Sequence, residues 1–158
     1  MASHQSRYRF IVSACLAGAK CTFKGKDNHN KKVARLVATG LALAACPELA
    51  GGLGIPRERS EIISGDGSSV LDGESRVISE SGRDLTREYI AGAVKLAKLA
   101  RGLGVERAVL KSDSPACGTG RIYDGSFSGK FRKGDGVFAA ALKREGVKVH
   151  NEKAARYG

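Results

Sequence analysis

The sequence predicts a single α/β domain with a mostly parallel, Rossmann-like sheet flanked by helices. Three observations carry this. Short β-rich apolar runs alternate with helix-period segments, the pattern of parallel strands joined by right-handed crossovers. The chain has 158 residues, close to the ~100–150 typical of one domain. Its 42% hydrophobic and 27% charged residues exclude a disordered or collagen-like chain. Residues 1–158 are read as one domain, with 1–7 as a flexible N-terminal tail.

The elements follow in order. Residues 8–14, Tyr-Arg-Phe-Ile-Val-Ser-Ala, read as a first buried strand ending at Cys15. Val33, Leu36 and Val37 have helical spacing from Lys31 to Thr39, and Gly40 is a stop. Leu41–Ala45 reads either as more helix or as a strand, since Cys46-Pro47 biases the chain toward extended structure. Residues 48–57 carry three glycines and a second proline, and predict a loop. Glu61–Ser64 is a short strand, and 69–78 reads as a hairpin turning at Asp72-Gly73. Asp84 opens the clearest helix, from Leu85 to Ala100, with Tyr89, Ala93, Leu96 and Ala100 on one face. Ala108–Leu110 is another strand, leading to Ser112-Asp-Ser-Pro-Ala-Cys117. A helix over 136–145 and a strand over 147–149 complete the chain, after a Gly-, Ser- and Lys/Arg-rich stretch over 121–134.

Lys and Arg number 27 against 16 Asp and Glu, a formal charge of +11. That field favours an anionic partner: nucleic acid, a nucleotide phosphate or an acidic membrane surface. With no Trp and 6% aromatic residues, and no interleaving of aromatic with basic residues, the stacking platform of a single-strand binder is not evident. No run of apolar residues is long enough to span a membrane, and the first ten residues lack a signal-peptide core, so a cytoplasmic location is expected.

Persistent disulfides are rare in that compartment, which turns the four cysteines, at 15, 21, 46 and 117, into a question of metal or catalysis. Their spacing fits neither paired C-x2-C zinc knuckles nor a C-x-x-C redox motif. Cys15, Cys46 and Cys117 each follow a strand-like run and precede a small-residue loop. Carboxyl ends of parallel strands share one edge of the sheet, so the three thiols can converge there. Thiolates suit zinc completed by an outside ligand, or an iron-sulfur cluster with one iron not held by cysteine. Cys21 lies in a polar stretch and reads as a small buried residue.

Val12-Ser-Ala-Cys-Leu-Ala-Gly18, Cys46-Pro-Glu-Leu-Ala-Gly-Gly-Leu53, Pro56-Arg57 with Glu61-Ile62, and Ser114-Pro-Ala-Cys-Gly118 with Ile122-Tyr-Asp-Gly125 resemble the thiouracil desulfidase (TudS-like) family from about residue 10 to 152. The resemblance implies a 4Fe-4S cluster on Cys15, Cys46 and Cys117, with Glu48 and Ser114 beside it. It implies an iron-sulfur-dependent, non-redox C–S hydrolase that removes sulfur from thiolated uracil compounds, the sulfur binding the open iron. A fourth cysteine ligand at Cys21 would close that position. Where the family's pattern would have Arg-Tyr-Asp-Gly, this chain has Cys21-Thr-Phe-Lys-Gly25, a base in place of an acid near the mouth.

Within that implied site Glu48 is the acid closest to a cluster cysteine on its loop, and partial burial can raise a carboxyl's pKa toward the working pH. It is assigned the proton transfers; the alternative is a loop carboxylate that caps a helix or pairs with Arg57. Ser114 orients water or substrate, or is a Ser-Pro turn hydroxyl. Arg57 and Lys111 are candidate phosphate contacts. The positive charge then favours 4-thiouridine 5'-monophosphate, giving UMP and hydrogen sulfide. Thiolated tRNA or free thiouracil are alternative substrates, and a non-catalytic, zinc-stabilised nucleic-acid-binding module is the alternative of another class.

Overall fold

In chain order the elements are β1 (Phe10–Ser13), a 3-10 turn (Ala14–Ala17), α1 (Lys31–Ala38), β2 (Ala42–Ala45), α2 (Pro47–Ala50), β3 (Ser60–Ile63), α3 (Gly67–Leu71), β4 (Arg76–Ser79), α4 (Thr86–Gly102), β5 (Arg107–Leu110), β6 (Arg121–Tyr123), β7 (Phe131–Lys133), α5 (Val137–Arg144) and β8 (Lys148–Asn151). They are taken from a computed structural model that describes residues 8–154 and 156–157. Residues 1–7, expected as a flexible tail, lie outside the described residues. No helix among the described residues is long and apolar enough to cross a membrane.

The predicted α/β architecture is present. Four parallel strands run in the order β2-β1-β5-β8, with Ile11 opposite Leu43 on one side and Ala108 on the other. Leu41–Ala45 thus resolves toward strand, because β1 offers Ala42–Ala45 a full parallel partner. Ile11, Ala108 and Leu110 join the core under α4 and α5, while Val12, Val109 and Ala42 join a second cluster with Val33 of α1 and Tyr157. Covering both faces explains why β1 and β5 read as unbroken apolar runs. The chain leaves β1 toward β2 and later returns to β1's other side as β5. That reversal makes the carboxyl ends of β1 and β5 the switch point, where open α/β sheets form their crevice.

Two expectations are corrected. The expected hairpin at Asp72-Gly73 is instead the helix α3 followed by β4, which pairs antiparallel with β3. A capping box drives this: Asp66 accepts the Ser69 N–H at 3.0 Å, and the Ser69 hydroxyl accepts the Asp66 N–H at 2.8 Å. The expected loop over 48–57 begins with one helical turn, α2. Pro47 stands at its first position, where a missing N–H removes no helical bond.

α2 lies unusually close to α4. A Cβ on Gly51 would fall 1.9 Å from the Glu88 carbonyl oxygen, and one on Gly92 would fall 1.9 Å from that of Pro47. Two glycines thus let backbone meet backbone and fix the turn that carries Cys46 and Glu48. Helix propensity alone would make Gly92→Ala stabilising by about 1 kcal/mol. The clash is with backbone and reverses the sign, to a loss of roughly 1–3 kcal/mol. Gly102 ends the same helix with nothing within 4 Å of an added Cβ, so Gly102→Ala is the control. Thermal unfolding should show a lowered Tm for the first and an unchanged or raised Tm for the second.

Candidate active site

Cys15 lies in the 3-10 turn directly after β1, Cys46 between β2 and α2, and Cys117 in the loop after β5. All three line one cavity of about 440 Å³ at the switch point, together with Cys21, Glu48, Arg57, Lys111 and Ser114. Every residue expected in the site is therefore brought to it. The four thiols are free, with Cys21 and Cys117 buried.

The Cys117 loop is held by unpaired donors at the start of α5. Val137 N–H donates to the Pro115 carbonyl at 2.8 Å and Phe138 N–H to that of Ala116 at 2.9 Å, which satisfies helix-terminal amides that have no partner inside the helix. Gly136 makes the approach possible, since a Cβ there would fall 2.4 Å from the Ala116 oxygen. The Ser114 hydroxyl accepts the Cys117 N–H at 2.7 Å, leaving its own proton for another acceptor. The Ser13 hydroxyl accepts the Lys111 N–H at 2.9 Å, tying the end of β1 to that of β5.

The thiols feel one another. A hydrogen bond from Cys21 is the largest influence lowering Cys15, with Asn28 helping against burial. Cys21 likewise pulls Cys46 down to about 6, burial opposing and the Leu49 amide assisting. Cys21 pays for both and is pushed far up by those two neighbours and by burial. Burial raises Cys117 well above a free thiol; Ser13 counters, and the charges of Cys15, Glu48 and Cys46 reinforce the rise. Two thiols are thus poised as thiolates and one is desolvated beside them, a donor set of soft, low-dielectric ligands. Among the described residues no three Cys, His, Asp or Glu side chains are drawn together closely enough to share one metal ion.

On the opposite wall Glu48 Oε2 accepts from Arg57 Nε at 2.6 Å, and both side chains are largely buried. Arg57, expected beside a phosphate, is turned onto the protein: Nη1 donates to the Gly54 carbonyl at 3.1 Å and Nη2 to that of Cys21 at 2.8 Å. Burial pulls the guanidinium's pKa down, but the Glu48 charge and hydrogen bond outweigh it and hold the pKa above its usual value. The Tyr89 phenol is raised chiefly by burial and next by the Glu48 charge, while the Ser60 hydroxyl lowers it.

Lys111 Nζ stands 3.4 Å from Glu152 Oε2. Glu152 also accepts the Ser112 N–H, at 3.0 Å on Oε1. Lys24, Lys26 and Arg59 add positive charge to the cavity wall. Sequence reasoning missed Ser13, Tyr89 and Glu152. Tyr89 was legible as a buried helix position but not as Glu48's neighbour, and Glu152 lies forty residues from the group it braces.

The 2-thiouracil desulfurase family model matches residues 10–154. The uncharacterised protein YbbK of Bacillus subtilis (strain 168) is 44% identical over 142 residues, 90% of this chain and 94% of its own. A solved structure, the 4Fe-4S-dependent thiouracil desulfidase TudS, superposes with a TM-score of 0.80 at 39% identity, covering 92% of this chain and 91% of that one.

Proposed function

Because this chain belongs to the 2-thiouracil desulfurase family, we propose that it is a 4Fe-4S-dependent desulfidase acting hydrolytically on thiolated uracil nucleotides, foremost 4-thiouridine 5'-monophosphate. The observation that carries this is the meeting of three strand-end thiols and one carboxylate in a single cavity at the switch point. Cys15, Cys46 and Cys117 would hold the cluster. When bound, it supplies a soft Lewis acid for the thiocarbonyl sulfur. Three thiols spread too widely for one ion suit a multi-iron core better than a single zinc.

The protein's own groups do the rest. Glu48 takes a proton from the water that adds to the ring carbon and returns it to the departing sulfur, so that thiocarbonyl and water become carbonyl and hydrogen sulfide. Arg57 fixes the carboxylate's direction through the Nε contact. Ser114, its oxygen occupied by the Cys117 amide, donates its hydroxyl proton to the water or to the base. Lys111, braced by Glu152, neutralises the substrate phosphate together with Lys24 and Lys26; Arg57 contributes less there, its charge being set against Glu48. No change of oxidation state occurs, so no electron donor is needed.

Anaerobically purified protein should be brown with about four irons per chain, and should release sulfide from thiouridine monophosphate. One charge-assisted phosphate contact predicts a kcat/KM roughly tenfold or more above that for free thiouracil. Colourless protein with stoichiometric zinc would overturn the cluster; equal kcat/KM for nucleotide and base would overturn the phosphate preference.

A further inference from the structure

Aromatic and basic residues do interleave along 121–133, Arg-Ile-Tyr-Asp-Gly-Ser-Phe-Ser-Gly-Lys-Phe-Arg-Lys, and the fold turns this segment into a ribbon at the cavity's edge. β6 and β7 pair antiparallel, Tyr123 opposite Phe131. The base of the ribbon is fixed. Ile122 is fully buried, and the buried Glu61 accepts the Gly125 and Phe127 N–H groups at 2.9 and 3.1 Å. The outer strand is the opposite: Phe131, Arg132 and Lys133 are all exposed, as is Lys130.

On one face the rings of Tyr123 and Phe131 stack at 4.8 Å. The Arg121 guanidinium lies 3.8 Å above the Phe131 ring, held there by a two-pronged bond to Asp113 at 3.0 and 3.2 Å. Tyr123 also lines the cavity, so a column of π-planes runs outward from the reaction site. An exposed aromatic fixed this way has no role in the core, and three exposed cations surround it. Stacking planes beside cations that track a backbone are what unpaired nucleic-acid strands bind.

We propose that the β6–β7 ribbon is a docking surface for single-stranded RNA, placing an unpaired nucleotide of the strand at the cavity mouth while its neighbours stack along Arg121, Phe131 and Tyr123. The choice of RNA rests on the reading that the cavity takes a uracil nucleotide; the surface itself does not.

The test is fluorescence anisotropy of the full chain with fluorescein-labelled octauridylate, which carries no thio group. Octauridylate should bind roughly tenfold or more tighter than UMP. Phe131→Ala should weaken it roughly tenfold by removing one stacking plane. The double change Arg132→Ala and Lys133→Ala should lower the slope of log K against log salt by about 1.4, two phosphates at ~0.7 each. Turnover of thiouridine monophosphate should be unchanged in both variants. Binding no tighter than UMP, or equal binding by the wild type and both variants, would overturn the proposal. So would displacement of octauridylate by polyglutamate as effective as by unlabelled octauridylate, which would reduce the surface to charge alone. Because binding requires no turnover, failure of the desulfidase reading would appear separately, as missing sulfide with octauridylate still bound.

Discussion

Glu48→Gln is expected to keep its iron and lose sulfide release by at least ~100-fold, the lower end of what a positioned proton donor and acceptor contributes. Glutamine has the same length and shape, and its carbonyl oxygen can still accept from Arg57 Nε, which now bonds Glu48 at 2.6 Å. The α2 turn should therefore stay in place, and Cys46 with it. What glutamine cannot do is carry a proton between water and sulfur. It also leaves Arg57, largely buried, without its counter-charge, so a loss of stability of the order of 3 kcal/mol accompanies the change. Iron content, the cluster's absorption and a thermal melt separate these effects from catalysis. Full iron with absent sulfide assigns the proton transfers to Glu48, whereas turnover within threefold of wild type would remove it from the chemistry.

Cys117→Ser should strip the protein of iron and of activity together. The thiol is buried and its loop is clamped from both sides by Ser114 and the start of α5. No other thiol can move into its place, and a serine hydroxyl is both harder and far less acidic than a thiol. Loss of a supporting hydrogen bond alone costs about 10–100-fold in metal affinity, so loss of a ligand should exceed that range. Cys21→Ser is the matched control: it removes a buried sulfur from the same cavity and should leave iron near the wild-type level. Iron retained by the Cys117 variant and lost by the Cys21 variant would reassign the ligand set.

The parts of this site legible in the sequence were those fixed by strand ends. A parallel sheet brings its carboxyl termini to one edge whatever the order of its strands, so Cys15, Cys46 and Cys117 could be grouped before any contact was known. Glu48 came with Cys46, two residues away. The partners supplied by distant segments were not legible. Tyr89 follows a helical core pattern, and nothing local distinguishes a phenol that faces a carboxylate from one that only fills space. Glu152 reaches Lys111 because β8 lies beside β5, a neighbourhood set by tertiary pairing. The hairpin expected at Asp72-Gly73 failed for a local reason, since the Asp66–Ser69 capping box started a helix where turn chemistry suggested strands. Residues 121–133 kept their signal hidden in plain composition: interleaved rings and cations acquire meaning only when β6 and β7 put them on one face.

Cys46 and Glu48 ride on a single helical turn locked between glycines, so neither can drift in evolution without dislocating the other. The Thr22–Lys26 wall is different. Its turn is closed largely by its own bonds, Gly25 N–H to the Thr22 carbonyl at 2.9 Å and Lys26 N–H to the Thr22 hydroxyl at 2.9 Å, and its lysines can be exchanged without touching the reacting groups. Divergence in substrate preference is therefore channelled into that short stretch, which makes it the first segment to randomise when retargeting this scaffold to other thiolated heterocycles.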